Sequence, residues 1–283
     1  MNGAAPAHPR LSLNQATIKY ESLETALRLA VDAGIASVGL WREPIAETGL
    51  ALTRRLLDDS GLRVSSLCRG GFFTAAEGEE RRAAIDANAR AIDEAAAIGA
   101  PALVLVAGGL PAHSRDLAGA RERVRDAVGE LVDHASAAGV TLAIEPLHPM
   151  YASDRAVIST LAQAIDIAEQ FPASTVGVVV DTFHLWWDPE LLPQILRAGA
   201  GRRIASYQVC DWATPLPEDV LLARHYPGDG VIDFGPITAA VTAAGYTGDV
   251  EVEIFNQEIW NSPAAEVVAR TVESFGEAVG IHL

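Results

Sequence analysis

Four oxygen-bearing side chains stand directly behind apolar runs in the second half of the chain. Leu142-Ala143-Ile144 leads into Glu145, Val178-Val179-Val180 into Asp181, Ile204-Ala205-Ser206-Tyr207 into Gln208, and Val250-Glu251-Val252 into Glu253. A lone carboxylate at the end of a buried run costs several kcal/mol or shifts its pKa upward, so it needs compensation. Three such acids brought to one place repel one another, and a divalent cation is the compact counter-charge. Gln208 adds a neutral oxygen as a fourth ligand. An all-oxygen donor set favours a hard ion, Mn²⁺ or Mg²⁺, over a thiolate-type zinc site. Any one strand-end acid is commonly a helix N-cap or an ion-pair partner. The metal reading therefore rests on four in succession. Glu251 shares the strand parity of Glu253, so alternation alone leaves both open as ligands. Glu251 lies one pleat deeper, where a buried ion pair is its alternative role.

Around these four lie groups suited to holding a substrate. His148 and His184 each follow an acid by three residues. A histidine at such a position can donate to or accept from a substrate hydroxyl. Arg224 precedes a Pro227-Gly228-Asp229-Gly230 turn, and Arg69 precedes Gly70-Gly71. Each is a donor fork for a substrate oxygen or anion. Trp212, like Trp41 and Trp260, falls at or just after a strand end, where an aromatic face can wall a site. Cys210, with no paired histidine evident, reads as a small buried hydrophobe.

The elements that would position these groups recur along the chain. Strand-like runs are Leu11–Ile18, Ser37–Trp41, Val64–Arg69, Ala102–Ala107, Thr141–Leu147, Val176–Asp181, Ile204–Asp211 and Asp249–Phe255. Helix-like stretches follow at Leu23–Ala33, Glu47–Ser60, Gly78–Ile98, Asp116–Ala138, Ala156–Gln170, Pro189–Ala198, Gly235–Ala244 and Pro263–Val279, several closed by glycine. Eight strand–helix units at roughly 35 residues each suit βαβ crossovers, and the continuously apolar strands suit a parallel sheet covered on both faces. No glycine-rich phosphate turn follows the first strand, so a doubly wound sheet is disfavoured. The expectation is a single-domain α/β protein, a (β/α)₈ TIM barrel over residues 11–283 behind an N-terminal tail at residues 1–10. Its active site would lie at the C-terminal strand ends.

Composition narrows the partners. The 283 residues carry 21 Lys+Arg against 37 Asp+Glu, a net charge of −16, with a single lysine, Lys19. That field repels nucleic acid. No apolar run is long enough to cross a bilayer, the first ten residues lack a leader pattern, and two cysteines make no disulfide framework. A cytoplasmic protein that binds neither nucleic acid nor membrane is expected.

Taken together, Ile144-Glu145-Pro146-Leu147-His148-Pro149, Val180-Asp181-Thr182-Phe183-His184, Tyr207-Gln208-Val209-Cys210-Asp211-Trp212, Pro227-Gly228-Asp229-Gly230-Val231-Ile232-Asp233 and Glu251-Val252-Glu253-Ile254-Phe255-Asn256 resemble the sugar phosphate isomerase/epimerase family. This is the xylose-isomerase-like TIM-barrel superfamily, which includes ketose 3-epimerases, hydroxypyruvate isomerase, inosose dehydratase and endonuclease IV. The resemblance implies a divalent metal on Glu145, Asp181, Gln208 and Glu253, choosing Glu253 over Glu251. It places a substrate histidine at His184 and a substrate arginine at Arg224. Many relatives carry histidine where Gln208 stands, and an amide is a weaker ligand than imidazole; Co²⁺ or Zn²⁺ are the alternatives to Mn²⁺ and Mg²⁺. The chain looks unlike the histidine-rich, multi-metal nuclease members. The implied activity is a metal-dependent isomerase or epimerase of a sugar or keto-polyol. Glu145 and Glu253 would trade a proton with an enediolate. The alternatives are a dehydratase or lyase acting on a keto-sugar, inosose or 3-keto-glycoside, and a non-catalytic carbohydrate-binding barrel. Relatives are often dimers or tetramers, so a homo-oligomer fits the resemblance.

Overall fold

The computed structural model describes residues 6–283, so the first half of the expected tail, and part of the stretch read for a leader, lies outside the described residues. Eight strands close into a parallel barrel. They are β1 (Leu11–Asn14), β2 (Ser37–Trp41), β3 (Arg63–Gly71), β4 (Ala102–Val106), β5 (Thr141–Glu145), β6 (Val176–Asp181), β7 (Ile204–Val209) and β10 (Val250–Val252), with β10 closing between β7 and β1. Between β7 and β10, β8 (Asp211–Trp212) and β9 (Arg224–His225) pair as an antiparallel ribbon. The expected (β/α)₈ barrel is present, with its helices outside. Among the described residues no helix is long and apolar enough to cross a membrane.

Differences from the expected elements have local causes. The run Leu11–Ile18 stops being a strand at Asn14, whose Oδ1 accepts the N–H of Ala16 at 2.8 Å and opens a 3₁₀ turn over Gln15–Ile18. The stretch Glu47–Ser60 is two helices, Arg42–Thr48 and Leu50–Ser60, broken at Gly49 with φ 88°. The helix expected from Ala156 begins at Leu161, where the Thr160 hydroxyl accepts from the N–H of Gln163. The eighth run is a strand only over Val250–Val252, which leaves Glu253 just beyond its end.

Alternation sorts the side chains into two layers. Leu103, Leu105, Leu142, Ile144, Val178 and Val180 point outward and pack against helix residues such as Ile92, Val128 and Ile165. Inside the barrel the floor has two halves. Ala102 and Val104, Ala143 and Val179 close with Cys68 into an apolar patch. On the side of β7, β10 and β1 the buried floor is polar, with Gln208, Glu251 and Ser12 in register across three neighbouring strands.

The ribbon returns Arg224 to the barrel mouth, and one buried carboxylate holds it there. Asp211 accepts the backbone N–H groups of Trp212, Gly228, Gly230 and Ile232 at 2.8–2.9 Å. Four backbone donors on one side chain clamp the loop to the ribbon. This explains why Asp211 and the Pro227-Gly228-Asp229-Gly230 turn occur together. At Gly230 a Cβ would collide with the Trp212 carbonyl and the Asp211 carboxylate.

Candidate active site

The strand ends deliver their acids to one place. Register pairs Val106 with Glu145, Asp181 with Gln208, and Gln208 with Glu251. Glu145, Asp181, Gln208 and Glu253 are all buried. A cavity of about 750 Å³ opens over them, and Glu145, Glu253, His184, Arg224, Arg69 and Tyr151 line it. Glu145, Asp181 and His184 place one donor atom each within 4.8 Å of one another.

Arg224 occupies the centre. Its Nη1 donates to Glu253 Oε2 at 2.8 Å and to Asp181 Oδ2 at 3.2 Å. Its Nη2 lies 3.0 Å from Nε2 of His184. Burial, then the neighbouring guanidinium, holds the His184 pKa well below its ordinary value, so the ring is neutral. The backbone N–H of His148 also points at this ring, 3.2 Å from Nδ1. A neutral imidazole has one acceptor nitrogen, so Arg224 and that N–H compete for it. The Nε of Arg224 is buried with no partner. Among the described residues Arg224 is the one buried arginine or lysine. It faces Glu145, Asp181 and Glu253 and leaves an excess of negative charge.

That excess appears in the proton affinities. Burial, followed by Asp181 and Glu253, pushes Glu145 well above the ordinary carboxylate range. Burial raises Asp181 against the pull of Arg224. Glu253 is pushed up to about 7 by burial, again with Arg224 opposing. Raised folded-state pKa values mean that the folded chain holds more protons than the unfolded one. Stability from these groups is full below the unfolded pKa and is lost as pH rises through about 7 for Glu253. In EDTA the protein is therefore expected to melt at a lower temperature at pH 8 than at pH 5.5, and a divalent cation is expected to restore more stability at pH 8. A thermal melt that rises across this interval in EDTA would contradict the assignment.

Beneath the acids lies a hydrogen-bonded floor. Glu251 accepts at Oε1 from Asn14 Nδ2 at 2.6 Å and Gln208 Nε2 at 3.1 Å, and at Oε2 from Ser65 at 2.6 Å and Ser66 at 2.8 Å. These partners are amides and hydroxyls, so the ion pair considered for Glu251 does not form. Asn14 Nδ2 also donates to Glu253 Oε1 at 3.0 Å. The Oε1 of Gln208 is buried and has no hydrogen-bond partner. An orphaned amide oxygen beside carboxylates in charge excess fits a hard divalent cation, since it is the donor such an ion lacks from the acids alone.

The residues picked out by sequence divide three ways. Glu145, Glu253, His184, Arg224 and Arg69 line the cavity. Asp181 and Gln208 lie behind that surface, Asp181 against Arg224 and Gln208 against Glu251. His148 and Trp212 do not line it. Trp212 stacks on Phe183 at 4.8 Å and packs against His148 at 5.1 Å, which puts aromatic packing where a substrate wall was expected. Asn14, Gln15, Tyr151 and Arg155 were not singled out. Gln15 and Tyr151 each bury polar side-chain atoms without a partner while lining the cavity. Asn14 follows Leu11-Ser12-Leu13, the apolar-run-then-amide pattern that marked Gln208, but it was hidden inside an overlong strand.

Residues 27–277 match the family model of the xylose isomerase-like TIM barrel. The chain belongs to that family. A crystal structure of a protein from Sinorhizobium meliloti 1021 superposes with a TM-score of 0.92 at 46% identity, covering 95% of this chain and 98% of that one. The zinc-bound structure of IOLI protein superposes with a TM-score of 0.84 at 21% identity, covering 97% and 99%, and shows the shared barrel. An inosose isomerase of Bacillus velezensis is 31% identical over 153 residues, 53% of this chain and 52% of that protein. A 3-dehydroshikimate dehydratase of Pseudomonas putida is 31% identical over 179 residues, 61% of this chain and 26% of that protein. The chain thus spans about half the length of the inosose isomerase and about a quarter of the dehydratase. These two curated relatives are enzymes, one an isomerase and one a dehydratase.

Proposed function

We propose that this barrel is a divalent-cation-dependent isomerase or epimerase of a sugar or related keto-polyol, working by proton transfer through an enediolate. One observation carries the reading. Three buried acids surround a single buried guanidinium at the mouth, and two of them, Glu145 and Glu253, open onto the cavity. Glu145, Asp181, Gln208 and Glu253 would hold the cation, with Mn²⁺ or Mg²⁺ ahead of Co²⁺ and Zn²⁺. Bound there, it would polarise a substrate carbonyl and acidify the adjacent C–H. The inosose isomerase similarity and the zinc of the IOLI structure support this.

The remaining chemistry falls to the chain's own groups. Burial makes the Glu145 and Glu253 carboxylates more basic than a solvated glutamate, which suits groups that take a proton from carbon and return it. One removes the proton and the other returns it. Return to the opposite face of the same carbon gives an epimer, and return to the neighbouring carbon gives an isomer. His184, kept neutral, exchanges a hydrogen bond with a substrate hydroxyl. Arg224 and Arg69 donate to substrate oxygens, and Trp41 and Phe255, which pack edge to face at 5.6 Å, supply an apolar wall. The reading includes a small-molecule substrate, a cytoplasmic location and no nucleic-acid or membrane partner.

The match to a dehydratase favours one variant of this scheme. After the same proton removal, a β-hydroxyl departs, takes a proton from a carboxylic acid and leaves as water. A single experiment separates the outcomes. The protein is incubated with Mn²⁺ and a panel of ketoses and keto-acids in deuterated water. Deuterium at carbon in a product of unchanged composition is the expected result. An enone absorbance with loss of water would select the dehydratase. Sugar binding with no C–H exchange across the panel would mark a carbohydrate-binding barrel and overturn the proposal.

A further inference from the structure

A glutamine ligand must present one particular end of its amide to a cation. Its amide has two ends of similar size, and only Oε1 can serve a cation. An amide that turns over presents an NH₂ group to the ion instead. The floor of this barrel holds a device that prevents the turn.

Glu251 is fully buried and lies beneath the residues that line the cavity. Its two oxygens receive four donors, from Asn14, Gln208, Ser65 and Ser66. Oε1 of Glu251 takes both amide NH₂ groups, which makes it the acceptor that faces Gln208. Reversing the Gln208 amide would set Oε1 of Gln208 against Oε1 of Glu251. That exchanges a hydrogen bond for a contact between two acceptor oxygens. Gln208 Nε2 therefore stays on Glu251, and Gln208 Oε1 stays without a protein partner. Space for the carboxylate is reserved in β2. A Cβ at Gly39 would fall on the Glu251 carboxyl group.

We infer that Glu251 is a positioning residue, whose role is to fix the Gln208 amide with its oxygen turned to the cation. This rests on the reading of Gln208 as a cation ligand. Asn14 does not depend on Glu251 in the same way. Its Oδ1 accepts from Ala16 N and from Trp41 Nε1 at 2.9 Å, and its Nδ2 also reaches Glu253. Loss of Glu251 therefore leaves Gln208 Nε2 and the Ser66 hydroxyl without their acceptor, while Ser65 keeps Ser12 at 2.8 Å.

The test is Mn²⁺ titration of the EDTA-stripped full chain, read by the EPR signal of free Mn²⁺. The set is wild type, Gln208→Ala, Glu251→Ala, the double variant and Glu251→Gln. Removing a group that orients a metal ligand typically weakens binding about 10- to 100-fold. Gln208→Ala and Glu251→Ala are each expected to weaken Mn²⁺ at least about tenfold, and the double variant no further than Gln208→Ala, because both changes remove one oxygen. Glu251→Gln keeps an acceptor for Gln208 Nε2, with its own NH₂ toward the serine hydroxyls, and is expected within about threefold of wild type. Additive losses, or a folded Glu251→Ala that binds as wild type does, would overturn the inference alone. No uptake by wild type would overturn the cation reading and this inference with it. If Glu251→Ala does not fold, NMR of glutamine-labelled wild type decides. The Gln208 NH₂ protons should be protected from exchange before and after Mg²⁺, while its carbonyl carbon shifts. Free exchange in the stripped protein would overturn the inference.

Discussion

Glu145→Gln is expected to lose turnover and yet make the cation-free protein harder to melt. The two effects have one cause. Glu145 is buried beside Asp181 and Glu253, and no hydrogen bond of the floor reaches it. Burial and these two neighbours disfavour its ionised form. An amide of the same shape cannot take that proton, and general acid–base groups contribute about 10²–10⁴-fold to rate. At saturating Mn²⁺, kcat is expected to fall by that order, and solvent deuterium should no longer enter the substrate. In EDTA at pH 8 the same change replaces a carboxyl whose ionisation is opposed by burial and by Asp181 and Glu253 with a neutral amide. The expected gain is on the order of 1 kcal/mol, roughly 2–4 °C in Tm for a chain of this size. Near-normal kcat in Glu145→Gln would remove this residue from the chemistry. A lower melting temperature would show that its charge is compensated in the fold.

Arg224→Met should have the opposite sign on stability. Arg224 donates to both Asp181 and Glu253, and all three are buried. Removing one partner of a buried ion pair leaves uncompensated charge and costs about 3–5 kcal/mol. The loss is expected in full at pH 8 in EDTA. It should shrink toward pH 5.5, because Glu253, already raised to about 7 beside Arg224, is freed to take up a proton. Mn²⁺ should recover most of it, since a dication supplies the missing charge. Chemical denaturation at the two pH values, with and without Mn²⁺, measures all of this. A loss independent of both pH and Mn²⁺ would mean that Arg224 stabilises the ribbon by packing alone.

The legible parts of this protein were those set by local pattern. Val178-Val179-Val180 and Leu142-Ala143-Ile144 announce strands covered on both faces, and the acid that ends each is conspicuous because buried runs rarely stop on a charge. Glycine at Gly61 and Gly139 marks helix ends, and both adopt positive φ there. The site was legible to the extent that it sits on strand ends. What stayed hidden depends on returns of the chain. β8 and β9 are two residues each, too short for any periodicity, so the sequence shows Arg224 only as a donor on a loop. Its bonds to Asp181 and Glu253 follow from the ribbon. Parity could not separate Glu251 from Glu253, since both point inward. Depth separates them, with Glu251 among the donors of the floor and Glu253 at the mouth. Trp212 illustrates the converse. It lies where a wall residue was expected, but Phe183 and His148 claim its faces.

All of these expectations descend from a charge excess at the mouth that one guanidinium leaves unmet. The most direct test is an anomalous-difference map from crystals of this chain soaked in Mn²⁺ at pH 8. The account predicts a single strong peak in contact with Glu145, Asp181, Gln208 and Glu253, with Arg224 drawn off the two carboxylates it now bridges. A map with no peak there, and with the Arg224 bonds to Asp181 and Glu253 intact, would contradict it.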